Sequence, residues 1–323
     1  MAIKYTKWDN RNKSANLLLS DHDFNNFRHW IFEISGISMG PSKKALVAGR
    51  LARRVQHHGL RSFHAYFDYL HHDTAEHQIA IDLLTTNETH FFREPRHFEL
   101  LRDVVLPEYS QTQKMRIWSA ASSTGQEVYS IAMVLAHVLG QEPWEILGSD
   151  LSTKVLDQAC SALYDISMAR EIPDLFLRSF CLKGVGAQNG RFLIAPEVTS
   201  RVRFAQVNLN QDLPNVGEFD VIFLRNVLIY FNEDTKRGVI DRLQKNSGRE
   251  AGFLSVILKA FMASIRHSNP MVIRCIANAW HLPPPRSERS TSCSTSPPQV
   301  WPCFSNGDRR KVVPPRGGWE PTP

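Results

Sequence analysis

The chain has 323 residues, 42% of them hydrophobic, which suffices for a sizeable core and, at about 150 residues per domain, predicts two domains. Its net charge of +6 would suit an anionic partner, but residues 1–244 hold 27 basic and 28 acidic side chains and residues 245–323 hold 11 and 4, so the basicity lies in the tail and nucleic acid is not expected as a partner. The five scattered cysteines include no CxxC pair, which excludes a zinc ribbon and a disulfide framework and predicts reduced thiols.

The opening residues lack an apolar signal-type segment, and the apolar run at 253–265 is too short to span a bilayer and carries Lys259. A cytoplasmic protein without membrane insertion, and a monomer, is therefore expected. From residue 21 to about 85 the chain reads as helices: "HDFNNFRHWIFEISGI", "PSKKALVAGRLARRVQHHG", "SFHAYFDYLHH" and "AEHQIAIDLLTT" are amphipathic segments with turn residues between them. Between residues 41 and 61 stand six cationic side chains and no acidic one, with Arg50, Arg53 and Arg54 at helical-neighbour spacing. Such a run is usually a solvated face, but its single sign favours a surface that docks an acidic helix.

From Met115 the period changes. "MRIWSAAS" reads as a buried strand, "GQEVYSIAMVLAHVLG" as a helix, "WEILGSD" as a second strand and "STKVLDQACSALY" as a helix capped by Ser152. "VRFAQVNL" and "FDVIFLRNVLIY" follow as further strands. This alternation predicts a doubly wound α/β sheet with ligands at the carboxyl ends of its strands. "GRFLIAPEVTSRVRF" breaks the alternation and predicts a small antiparallel β insertion at about 180–203.

Polar residues gather at the expected strand ends. "SAASSTGQE" opens a helix with small residues that let a ligand approach the backbone, although it is not GxGxxG and a bare turn would use the same residues. Asp150 ends the second strand, where it can either hold ribose hydroxyls or cap the following helix. Glu127 stands in a first helical turn, where stabilisation by the helix dipole is the simpler explanation. In "TTNETHFFRE", Asn87, Thr89 and Arg93 lie within two helical turns around Phe91 and Phe92, as a polar edge on a packed hinge. Arg225 and Asn226 end a buried strand, where polar groups need a partner or a ligand.

"TTNETHFFREPRHFELL", "IWSAASSTGQEVYSIAMVLA", "ILGSDLSTKVLDQA" and "FDVIFLRNVLIYF" together resemble, in order and spacing, the chemotaxis receptor methyltransferases, the CheR family, over residues 21–244. Val128 departs from that family, which more often has Pro after the Glu. The resemblance implies an N-terminal all-helical domain and a Rossmann-like methyltransferase domain that binds S-adenosylmethionine. It implies cofactor contacts at Asn87, Thr89, Arg93, Glu127, Asp150, Asn208, Leu209, Arg225 and Asn226. It also implies that Arg93 and Tyr230 flank the transferred methyl, and that the substrate is glutamate carboxylates on acidic helices of methyl-accepting chemotaxis receptors, docked at Arg50, Arg53 and Arg54. The domains expected are a 1–20 extension, a 21–86 receptor-docking domain and an 87–244 cofactor-binding domain. A nicotinamide-dependent oxidoreductase and a receptor-binding remnant without catalysis are the alternatives.

The family's closing glycine turn, "GHSE" motif and last strand are absent after Gln244. Read one base out of frame, however, codons for residues 248–250 can spell Pro-Gly-Gly, and those from Ser255 onward can spell Gly-His-Ser-Glu. A frameshift just after Gln244 is therefore expected, with the closing strands missing and an aberrant, largely disordered tail at 245–323. Ten of the 18 prolines fall within 281–323, a composition that buries no core.

Overall fold

The computed structural model describes residues 17–109, 114–244, 254–256, 300–301 and 318–322. It divides into two compact units, one of Met1–Glu33 and Ser38–Leu84, the other of Ile34–Ile37 and Thr85–Pro323.

The first unit is built from α1 (Asp21–Ser35), whose last two residues count with the second unit, α2 (Lys44–His57), α3 (Phe63–Leu70) and α4 (Thr74–Leu84). Side-chain caps start three of them. Ser20 Oγ accepts from Asp23 N before α1, Ser62 Oγ from Ala65 N before α3, and Asp73 Oδ1 from Ala75 N and Glu76 N before α4. The buried residues recur every three to four positions, as Val47, Leu51 and Val55 on α2 and Phe63, Tyr66 and Leu70 on α3. One carboxylate lies inside this packing: Glu76 binds Arg54, Tyr66 and His58.

In the second unit, a turn-rich segment leads through α5 (Arg96–Leu100) and α6 (Leu106–Glu108) to β1 (Met115–Ser119). Then follow α7 (Gln126–Leu139), β2 (Trp144–Asp150), α8 (Thr153–Ser161), β3 (Leu163–Asp165), α9 (Asp174–Phe180), β4 (Cys181–Gly184) and β5 (Arg191–Ile194). After them come α10 (Pro196–Thr199), β6 (Val202–Gln206), β7 (Val221–Phe223), α11 (Glu233–Gln244), β8 (Leu254–Val256), β9 (Val300–Trp301) and β10 (Trp319–Pro321). The main sheet runs β8-β7-β1-β2-β6-β9, with its first five strands parallel and β9 antiparallel to β6. Both faces of β1 are covered. Ile117 belongs to the apolar cluster that includes α7, and Trp118 to the one that includes Val239 and Leu243 of α11, which explains the near-continuous apolar strands. The chain leaves β1 towards β2 on one side and returns to β7 on the other, so the switch point lies between β1 and β7.

Several expectations need correction. The β insertion is larger than 180–203: it begins at β3, pairs β3 with β5 and β4 with β5, and ends before β6, which belongs to the main sheet. "FDVIFLRNVLIY" is a strand only over Val221–Phe223, because Asn226 takes a positive φ of 56° and Leu228–Tyr230 form a 3-10 turn. The closing strands are not all missing. Leu254–Val256 extends the sheet parallel to β7, at the edge expected to lack a neighbour, and β10 pairs antiparallel with β4. Backbone hydrogen bonding makes no demand on side-chain identity, so this ladder forms without the motif residues expected there. Residues 245–253, 257–299 and 302–317, on which most of the frameshift and disorder expectation falls, lie outside the described residues. The expectation of reduced thiols fails at Cys160 of α8, which is half-buried and disulfide-bonded. Cys181 is a free thiol that burial pushes up to about 12.

Candidate active site

Loops that follow the strands are tied together beside the switch point. The first follows β1, where Ala120 N donates to Phe223 O at 2.8 Å and Ser122 N to Ser149 O at 2.8 Å, tying the loop to both neighbouring strands. Gly125 precedes α7 with φ 91°, and a Cβ there would lie 2.9 Å from Ala159 Cβ and 3.0 Å from the Tyr164 hydroxyl. Only glycine satisfies both the conformation and the close approach, so it brings the amino end of α7 against α8.

Asp150, at the end of β2, serves both loops. Its Oδ2 accepts from Ser123 N at 2.9 Å and its Oδ1 from Ser152 N at 3.0 Å, while Ser152 Oγ caps α8. The carboxylate thus braces the turn, and with about four lone-pair sites it has the capacity to accept from hydroxyl groups as well.

Glu127 proves to be more than a helix-dipole partner. Its Oε2 pairs with Arg225 Nη1 at 2.9 Å and its Oε1 accepts from Ser119 Oγ at 2.8 Å. Burial pushes the carboxyl above its ordinary range, and the Arg225 guanidinium and Ser119 hydroxyl oppose that shift. The Arg225 side chain is 2% exposed; its Nη2 donates to the Arg93 carbonyl and its guanidinium lies 5.5 Å from the centre of the Phe98 ring. A residue just past a buried strand is therefore satisfied by a partner 98 positions earlier in the chain. Two polar atoms of these loops, Arg225 Nε and Ser122 Oγ, are buried without a hydrogen-bond partner.

The segment 85–95 is not helical as expected. It is extended and then turns, with positive φ at Phe92 (49°) and Glu94 (57°) on either side of Arg93. The cause is tertiary: Phe91 and Phe92 are drawn into the core, against Tyr164 and Phe192 on one side and Phe98 and Phe176 on the other. Asn87 O accepts from Ser123 Oγ at 2.9 Å, and Arg93 Nη1 donates to Glu88 O at 3.0 Å.

Arg93, Glu127 and Arg225 are thus linked directly, and Asn87 and Asp150 are linked through Ser123. Asn208 is engaged elsewhere, donating from Nδ2 to Ile34 O at 2.7 Å, and Leu209 O accepts from Arg242. Among the described residues, no side-chain hydrogen bond ties Thr89, Asn226 or Tyr230 to the cluster; Tyr230 is half-buried at the end of the 3-10 turn. Ser119 and Ser123 lie in the "SAASSTGQE" stretch, but nothing in the sequence assigns them these partners, and Ser130 on α7 carries no motif signal beyond a hydroxyl in the apolar run "SIAMVLA".

The three arginines of α2 divide. Arg54 donates from Nε to Glu76 Oε1 at 2.8 Å and from Nη2 to Glu76 Oε2, and Arg50 Nη1 donates to Leu84 O at 3.2 Å at the end of α4. Only Arg53 of the three is exposed. Charge spacing on one helix does not reveal an acidic partner on another, so Arg54 belongs to the interior of the helical unit.

Among the described residues no helix is long and apolar enough to cross a membrane, and no group of His, Cys, Asp and Glu is arranged to hold a metal ion. Residues 22–85 match the pattern described as "CheR methyltransferase, all-alpha domain", and residues 87–256 match "CheR methyltransferase, SAM binding domain", which runs past Gln244. The chain is similar to chemotaxis protein methyltransferase 2 of Pseudomonas aeruginosa, 40% identical over 224 residues that cover 68% of this chain and 80% of that protein. The chemotaxis protein methyltransferases of Salmonella typhimurium and Escherichia coli are each 38% identical over 231 residues, covering 70% of this chain and 79% and 80% of theirs.

Proposed function

Because this chain belongs to the CheR methyltransferase family, we propose that it methylates the side-chain carboxylates of glutamates on chemotaxis receptors. Its cofactor is S-adenosylmethionine. The observation that supports the reading is the convergence of the 87–93 segment, the β1–α7 loop, Asp150 and Arg225 at the carboxyl ends of β1, β2 and β7. That donor set suits the cofactor: a carboxylate for ribose hydroxyls at Asp150, glycine-assisted backbone approach at α7, and the buried, unpartnered Ser122 Oγ and Arg225 Nε for its polar groups.

The bound cofactor supplies an electrophilic methyl group on a sulfonium. Glutamate has a reference pKa near 4.3, so at neutral pH it is already a carboxylate nucleophile and requires no general base. What remains for the protein is alignment and the exclusion of water. Arg93, projecting from its constrained turn, is assigned to orient the substrate carboxylate, and the Tyr230 hydroxyl to hydrogen-bond it. The Glu127–Arg225 pair holds the turn's carbonyl without charge left over, since the two ions neutralise each other. Docking of acidic receptor helices is assigned to the exposed cations of the 41–61 stretch, with Arg53 in place of the full arginine triplet.

Calorimetric titration of the full chain with S-adenosylmethionine and with NAD tests the assignment. Binding of S-adenosylmethionine alone is expected, with affinity lost in Asp150→Ala. Binding of NAD in its place would overturn the reading in favour of an oxidoreductase.

A further inference from the structure

The turn that carries Arg93 is held by two side chains that have no part in the chemistry above. Phe92 and Glu94, on either side of Arg93, both have positive φ, which non-glycine residues keep only where their surroundings hold them. Three hydrogen bonds fix the backbone here. Phe91 N donates to Glu171 Oε2 at 3.1 Å, Phe92 N donates to Ser130 Oγ at 2.9 Å, and the Arg93 carbonyl accepts from Arg225 Nη2.

Ser130 is fully buried on α7, and its own hydroxyl proton is committed to Gln126 O at 2.7 Å, which leaves the oxygen lone pairs for Phe92 N. Glu171 arrives from a different element, the 3-10 turn Ile166–Glu171 that follows β3 in the β insertion. The same insertion contributes Phe176, whose ring stacks on Phe92 with centroids 5.1 Å apart and planes 10° from parallel. A polar residue on the buried face of an apolar helix and a carboxylate reaching 80 positions back along the chain thus meet the amides immediately before Arg93.

We propose that Ser130 and Glu171 are positioning residues for methyl transfer: they lock the 91–94 backbone in the strained form that presents Arg93 to the substrate carboxylate. This rests on the catalytic assignment of Arg93 made above. It also gives the β insertion a role in catalysis, since Glu171 and Phe176 transmit its position to the turn.

The test compares the full-length wild type with Ser130→Ala, Glu171→Ala, Glu171→Gln and Arg93→Ala. The readouts are kcat and KM for receptor methylation, S-adenosylmethionine affinity by calorimetry, and amide exchange at Phe91 and Phe92. Ser130→Ala and Glu171→Ala are expected to lower kcat by roughly 10- to 100-fold, as misplacement of a reacting group does, with cofactor affinity and KM unchanged and faster exchange at the freed amide. Glu171→Gln keeps a carbonyl acceptor and should restore kcat. Wild-type kcat in both alanine variants while Arg93→Ala is inactive would overturn the proposal alone. So would a loss of kcat matched by a loss of cofactor affinity. If Arg93→Ala methylates at the wild-type rate, or the wild-type chain transfers no methyl, the catalytic assignment fails and takes the proposal with it.

Discussion

Replacing Glu76 by Gln in the full-length chain removes the anion at the centre of the helical unit. Its side chain is 2% exposed and accepts from Arg54 Nε at 2.8 Å and from the Tyr66 hydroxyl at 2.6 Å, with His58 Nε2 at 3.0 Å. Burial alone raises this carboxyl, but hydrogen bonds from Arg54, Tyr66 and His58 outweigh it and hold the value at about 2 against an ordinary 4.5. That difference corresponds to roughly 3 kcal/mol at neutral pH. Because Arg54 keeps 23% of its side chain in water, we discount the figure to about 2 kcal/mol. The folded value lies below the unfolded one, so the contribution is present above pH 4.5 and is lost as pH falls through about 2. Amide exchange on α2 and α4 reads this locally, and about 2 kcal/mol corresponds to roughly 30-fold less protection in Glu76→Gln at pH 7. The gap between the two proteins should close on acidification. Equal protection at pH 7, or a gap that persists below the folded value, would refute the reasoning and return Arg54 to the list of surface charges.

Other outcomes follow from the same structure. Arg53→Glu should raise KM for receptor with cofactor affinity unchanged, and added salt should mimic it; normal methylation at low ionic strength would leave Arg53 a solvated charge. Arg54→Glu should instead destabilise the helical unit by about 3 to 5 kcal/mol, because it places a second anion beside buried Glu76; a denaturation midpoint equal to wild type would contradict this. For the tail, we propose that the reading frame is displaced after Gln244. A one-base correction is expected to tighten S-adenosylmethionine binding, and equal affinity of the corrected and present chains, with resequencing that confirms the present frame, would remove the idea.

The alternation of strands and helices from Met115 to Ser161 was legible because apolar periodicity is a local property, and β1 is buried on both faces as its composition implies. Three of the four motif segments were legible too, each marking the end of a strand, β1, β2 or β7. The pairings that make them a site were not. Glu127 finds Arg225 across 98 positions and Arg54 finds Glu76 across 22, and no spacing within one element encodes either. The 85–95 segment misled because Phe91 and Phe92 are buried by tertiary contacts that override any local preference. At the edge beside β7 the sequence pointed to an absent strand, whereas the ladder with Leu254–Val256 needs only backbone groups, which every residue but proline supplies in full.

Incubation of the full-length chain with methyl-labelled S-adenosylmethionine and the cytoplasmic helical region of a chemotaxis receptor tests the central claim most directly. Glutamate methyl esters are labile to alkali, whereas methyl groups on nitrogen are not. The account predicts receptor-bound label that alkali releases as methanol and that disappears in Arg93→Ala. Label that survives alkali, or a receptor left unlabelled by a chain that binds the cofactor, would contradict it.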